Sequence, residues 1–142
     1  MRRIVLTFLL ALGGCDGPAP SIQVSDAWTR ATTAAASSAS VYMTIANQGG
    51  EDRLTAVTTP AAKAATLHTM TMDGSIMRMR PVADGIEVAA DGSLSLAPNG
   101  THVMLTGLQR PLVPGQQIPA RLLFARSGYR DIDITVVAAG AR

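Results

Sequence analysis

Turn-forming clusters recur along this chain at intervals that leave room for strands and little room for helices. Asn47-Gln48-Gly49-Gly50, Asp73-Gly74, Asp91-Gly92, Pro98-Asn99-Gly100, Pro114-Gly115 and Ser127-Gly128 cut it into short pieces. Glycine supplies positive φ, proline presets the first turn residue, and Asn or Asp tolerates left-handed backbone, so each cluster can reverse the chain. The pieces between them alternate or run apolar. Ser40–Ile45, Leu54–Val57, Ile86–Val88, Ser93–Leu96, His102–Leu105, Ile118–Phe124 and Ile132–Val137 read as strands. Trp28, the only tryptophan, reads as the anchor of a first strand, and Met43 as a core residue. Ala31 to Ala39 has no apolar periodicity and reads as a loop. The expectation is one antiparallel sandwich or barrel, without repeats and without a second domain.

The amino terminus has a different character. Arg2-Arg3 followed by the apolar run Ile4 to Leu12 reads as a processing signal, too brief to span a bilayer stably. Leu12-Gly13-Gly14-Cys15 resembles a bacterial lipobox, in which cleavage precedes a cysteine that is then lipidated. Asp16 behind it resembles the inner-membrane retention signal of some Gram-negative lipoproteins. The expected organisation is a lipoprotein-type signal peptide over 1–14, lipidated Cys15 and a tether over 15–25, a sandwich domain over 26–138, and a tail over 139–142. An acyl anchor leaves such a domain soluble but tethered to a membrane.

Charge and cysteine usage narrow the function. Losing Arg2 and Arg3 leaves ten Lys plus Arg against ten Asp plus Glu, so the basic isoelectric point of the whole chain says little about partners. No basic run is interleaved with aromatics, which argues against nucleic acid. Cys15 is the only cysteine. A blue-copper centre needs a thiolate near its histidines, a thioredoxin-like site needs Cys-x-x-Cys, and a structural zinc site needs more than two histidines.

The candidate chemistry lies in the two histidines. His68 opens His68-Thr69-Met70-Thr71-Met72, and His102 opens His102-Val103-Met104, with Met77 and Met79 between them. Thioether sulfur is a soft donor that favours Cu(I), and neutral imidazole serves most transition metals. Asp73-Gly74 favours a two-residue hairpin loop, which would set Met72 opposite Ser75, Met70 opposite Met77 and His68 opposite Met79. Directly opposite residues have Cβ atoms about 4.5–5.5 Å apart, close enough to share an ion. His102 and Met104 fall on one face of a strand and complete a His2Met2 set: His68, Met79, His102 and Met104. Taken singly, strand methionines and histidines more often pack than ligate, and the case rests on their joint placement.

These residues resemble the PCu(A)C periplasmic copper chaperones. The resemblance runs through Asp26–Ala31, Val41–Ile45, Leu67-His68 with Met70, Asp73-Gly74 with Met77–Val82, and Gly100–Leu105 with Gly107-Leu108. Ten residues separate His68 from Met79, as in the family. Twenty-two separate Met79 from His102, one more than the family spacing, with Ala83-Asp84-Gly85 the turn best able to absorb it. The resemblance implies an all-β, cupredoxin-like Greek-key β-sandwich that is not an enzyme. It implies one Cu(I) held by His68, Met79, His102 and Met104, with Cu(II) held weakly or at a secondary site. It implies delivery to the Cu(A) centre, through a copper-accepting cytochrome c oxidase subunit or a Sco-type assembly factor. The protein would be a monomer, lipid-anchored to the inner membrane on its periplasmic side. Met70, Met72 and Met77 would pack, shield the ion, or lend sulfur during handover. The competing expectation is a membrane-tethered structural or binding β-sandwich lipoprotein without a specific metal site. A copper enzyme or hydrolase is the least supported, since scattered Ser, His and Asp do not make a triad.

Overall fold

The computed structural model describes residues 17–142, so the signal peptide over 1–14 and Cys15 lie outside the described residues. Ten strands follow in order: β1 Ile22–Arg30, β2 Ser38–Asn47, β3 Asp52–Thr58, β4 Ala62–Asp73, β5 Ile76–Pro81, β6 Ile86–Val88, β7 Ser93–Leu96, β8 His102–Leu108, β9 Gln117–Phe124 and β10 Gly128–Val137. Each stretch read as a strand from the sequence lies inside one of these. Among the described residues there is no helix long and apolar enough to cross a membrane. The segment after β1 is irregular until β2 begins at Ser38, as its lack of periodicity predicts.

The strands form one hydrogen-bonded path, β5-β4-β8-β2-β1-β10-β9-β3-β6, with β7 also paired to β2. Neighbours in space are mostly not neighbours in sequence, which is the Greek-key signature. The path closes into a cupredoxin-like sandwich because two strands serve both layers. β2 pairs with β8 over Ser38–Val41 and with β7 over Met43–Ala46. β1 pairs antiparallel with β2 and parallel with β10, and its register shifts between Ser25 and Trp28. Asp26 at φ 50° sits in that bulge, and a bulge bends a strand and increases its twist.

The alternation of β2, β8, β9 and β10 explains the core. Val41, Met43, Ile45, Val103, Leu105, Leu122, Phe124 and Ile134 are buried between the layers. Each such side chain stabilises the fold by about 1.5–3 kcal/mol relative to exposure. The alternate residues of β8, His102 and Met104, therefore point to the outer face.

One segment extends the domain beyond its expected start at 26. β1 begins at Ile22. Ahead of it, Gln48 N donates to Ser21 O and Gly50 N to Ala19 O, at 3.0 and 3.1 Å. Ser21 N donates to the buried Asn47 Oδ1 at 3.0 Å. Residues 17–21 are thus joined to the sandwich.

Candidate metal centre

The β4–β5 hairpin carries half the expected ligands. Its register differs from the sequence expectation. Asp73 pairs with Ile76, Met72 with Met77, Met70 with Met79, and His68 with Pro81. The two-residue loop is therefore Gly74-Ser75, with Gly74 at φ 65° and no positive φ at Ser75. A turn with positive φ only at its first central position is satisfied by Gly-Ser, whereas an Asp-Gly loop of the mirror type I would ask positive φ of both residues. Asp73 stays in the strand, where Arg78 Nε donates to its carboxylate at 3.0 Å. The slip moves each partner by two positions, so every side chain keeps its face. His68, Met70, Met72, Met77 and Met79 share one face, and the Asp73–Arg78 pair lies on the other.

The β7–β8 connection positions the second histidine. Gly100 N donates to Ala97 O at 3.0 Å, and Asn99 takes φ 64°. Pro98 followed by a left-handed Asn is the sequence of a type II turn. Two residues later His102 pairs directly with His68 across β4 and β8. The imidazoles stack, with centroids 5.8 Å apart and planes 21° from parallel.

His102 is only 6% exposed, and both its ring nitrogens are committed. Nδ1 lies 2.9 Å from the Gly100 carbonyl oxygen. A carbonyl can only accept, so Nδ1 carries the hydrogen, and in the neutral imidazole that a metal ligand requires Nε2 presents a bare lone pair. That lone pair faces Met79 Sδ at 3.2 Å. A thioether has no hydrogen to donate. Two electron-pair donors thus point at one another, an arrangement that a cation between them stabilises. Bonds of about 2.0 Å to nitrogen and 2.3 Å to sulfur, as for zinc, put two ligands of a tetrahedral ion about 3.5 Å apart. The pair is already near that spacing. A backbone carbonyl fixing the tautomer from behind is also how metal-binding histidines are oriented.

Of the four expected ligands, His68, His102 and Met79 come together. His68 is half-buried, and its Nδ1 lies 3.4 Å from the Thr66 hydroxyl. Met104 shares their face one pair further along, opposite Thr66 on β4 and Ser40 on β2. There it lines a cleft with Tyr42 and Arg30. Met70, expected from the sequence to pack, shield the ion or lend sulfur, lies opposite Met79. Two contributors escaped the sequence reading: the Gly100 carbonyl, and Tyr42, whose ring centroid is 6.4 Å from that of His102. Trp28 packs against Tyr42 with ring centroids 4.7 Å apart and planes tilted by 45°, and its own face is taken by the Arg142 guanidinium at 4.7 Å. Among the described residues, no three His, Cys, Asp or Glu side chains are grouped to hold a metal. The donors present are imidazoles and thioethers, the set that suits a soft monovalent ion.

Comparison with known proteins agrees with this architecture. Residues 22–136 match the sequence model of the family described as "Putative lipoprotein LpqE-like". "Putative lipoprotein Lxx21020" of Leifsonia xyli subsp. xyli is 30% identical over 144 residues, covering 93% of this chain and 86% of that one. The apo PCuAC domain from PmoF1 superimposes with a TM-score of 0.70 at 25% identity, over 82% of this chain and 93% of that domain. The solution structure of CuI-DR1885 from Deinococcus radiodurans gives 0.65 at 28% identity, over 88% and 83%. The chain belongs to the LpqE-like lipoprotein family and, through it, to the PCu(A)C-type cupredoxin-like sandwiches.

Proposed function

We propose that this protein is an extracytoplasmic Cu(I) chaperone that holds one ion between His68, Met79, His102 and Met104. The facing lone pairs of His102 Nε2 and Met79 Sδ, 3.2 Å apart, carry the reading. The Cu(I) form of DR1885, similar over most of this chain, supports the choice of ion. Four neutral ligands leave the bound centre with a single positive charge. Met79 is 44% exposed, so an acceptor can reach the ion from the hairpin side. Release is ligand exchange: an incoming thiolate replaces a thioether, and copper changes neither oxidation state nor spin. The protein acts as a carrier, not a catalyst.

The acceptor fitting this chemistry is a thiolate-bearing one in assembly of the cytochrome c oxidase Cu(A) centre, either the oxidase subunit or a Sco-type factor. The lipoprotein family supports lipidation at Cys15 and membrane anchoring, and Asp16 behind that cysteine is the reason for placing the anchor in the inner membrane, on its periplasmic side.

An anaerobic Cu(I) competition titration against a chromophoric chelator tests the site. One-to-one binding is expected, lost in the His102→Ala/Met104→Ala variant. Met79→Leu should lower Cu(I) affinity about tenfold, 1.4 kcal/mol, and spare Cu(II), which depends less on soft sulfur. Binding indifferent to these substitutions would leave a tethered β-sandwich without a metal site.

A further inference from the structure

The hairpin methionines that the four-ligand centre does not use are the unexplained feature of this molecule. Met72 and Met77 face each other across β4 and β5 and are 63% and 49% exposed. Packing does not account for them, because they are not packed. Among the described residues the large exposed apolar side chains are Met72, Ile76, Met77, Met79, Val113 and Tyr129, so four of six belong to this one short hairpin. Three of those four are methionines, and all three share the face that leads to His102.

Their order matters. From the tip inward the cross-strand pairs are Met72 with Met77, then Met70 with Met79, then His68 beside His102. Successive pairs on one face lie about 6.6 Å apart along the strands. Each is flexible enough for its sulfur to swing toward the next pair. The opposite face carries the Asp73–Arg78 ion pair and offers no soft donor.

We propose that Met72 and Met77, with Met70 behind them, form a second, weaker thioether site for Cu(I), through which the ion enters and leaves the inner centre. The relay rests on the Cu(I) reading of that centre. Transfer is ligand substitution alone. A bond from copper to the sulfur of Met72 or Met77 breaks as one to Met70 or Met79 forms, and then one to His102 Nε2. Thioethers have no proton to lose, and the neutral imidazole, with its hydrogen held on Nδ1 by the Gly100 carbonyl, offers Nε2 as a lone pair, so no electron has to be supplied and none of the sulfur ligands releases a proton.

The test follows the methionine methyl signals of the full-length protein by NMR during anaerobic titration with Cu(I), and with Ag(I) as a redox-inert substitute. The first equivalent should move Met79 and Met104. A second, weaker equivalent should move Met72 and Met77. A Met72→Leu/Met77→Leu variant, altered only at exposed positions, should keep the first-equivalent affinity. It should capture Cu(I) from a chelator complex about tenfold more slowly if the tip pair contributes the equivalent of 1.4 kcal/mol. Methyl signals of Met72 and Met77 that stay still through the second equivalent, with an unchanged capture rate, overturn the proposal. Failure of the inner centre has another signature: first-equivalent binding that His102→Ala leaves intact. In that variant the tip signals should still respond to Ag(I), because their sulfur ligands are untouched.

Discussion

Asp52 shows how one buried side chain sets the acid limit of this fold. Its carboxylate accepts hydrogen bonds from the amides of Arg53, Arg126 and Ser127 and from the Ser127 hydroxyl, tying the start of β3 to the β9–β10 turn. Burial opposes its ionisation, but the Ser127 hydroxyl and the three amides outweigh that and hold its pKa below the ordinary value. A carboxyl whose folded pKa lies below its unfolded value of about 3.9 contributes stability that is complete above that pH and lost as pH falls through the folded value. The resistance of the wild type to thermal unfolding should therefore fall on acidification below about pH 4. Asp52→Asn should cost about 1–3 kcal/mol at neutral pH by turning an amide donor toward donors. Its stability should also vary less between pH 4 and pH 2, which calorimetry across that range would measure. At the same scale, the company of methionines marked His102 as a candidate ligand. Its tautomer was not legible, because the deciding Gly100 carbonyl is placed by a turn whose geometry no single residue type specifies. Tyr42 was likewise hidden, since it meets His102 only through the β2–β8 pairing.

The β4–β5 hairpin shows what an element inherits from its turn. Asp73-Gly74 and Gly74-Ser75 both read as loops, and the strands alternate equally well about either. The sequence therefore specified the methionine face but left the pairing open by two positions. The structure resolves it in favour of the turn that asks positive φ of glycine alone. Past His68 the partner β8 has ended, and β4 continues with β5 as a two-stranded ribbon. Such ribbons are marginally stable by themselves. Backbone amides of Thr69–Asp73 and Ile76–Arg80 should exchange faster than those of β2 or β8. On the proposed Cu(I) binding, ligation of Met79 ties the ribbon to His102 on the body of the sheet. Hydrogen exchange should then slow across β5, with little change in β9 or β10. Uniform slowing through the sandwich would point instead to global stabilisation.

At the scale of the molecule, turn chemistry and alternation located the strands but could not order them. The parallel β1–β10 pair and the division of β2 between β7 and β8 are contacts between distant residues, fixed by which apolar faces must cover one another. The same long-range closure incorporates the stretch that composition alone marked as tether. A Cβ on Gly50 would lie 1.8 Å from Pro18 O, and one on Gly49 would lie 2.1 Å from Ala19 O. Arg126 donates to the carbonyls of Gly17 and Pro18 at 3.2 Å from the other side. With Cys15 lipidated as proposed, only Asp16 separates the acylated residue from this clamp, so the sandwich rides close to the headgroups. Gly50→Ala should displace residues 17–21 and lower stability by about 1–3 kcal/mol, the usual range for forcing extra volume into a packed place. Because the His/Met face is built by β4, β5 and β8 and the clamp by the 47–50 turn and Arg126, first-equivalent Cu(I) affinity should hold in this variant while the melting temperature falls. A parallel loss of affinity would mean that the clamp reaches the His/Met face through β2, which carries Asn47 at one end and Tyr42 beside His102 in its middle.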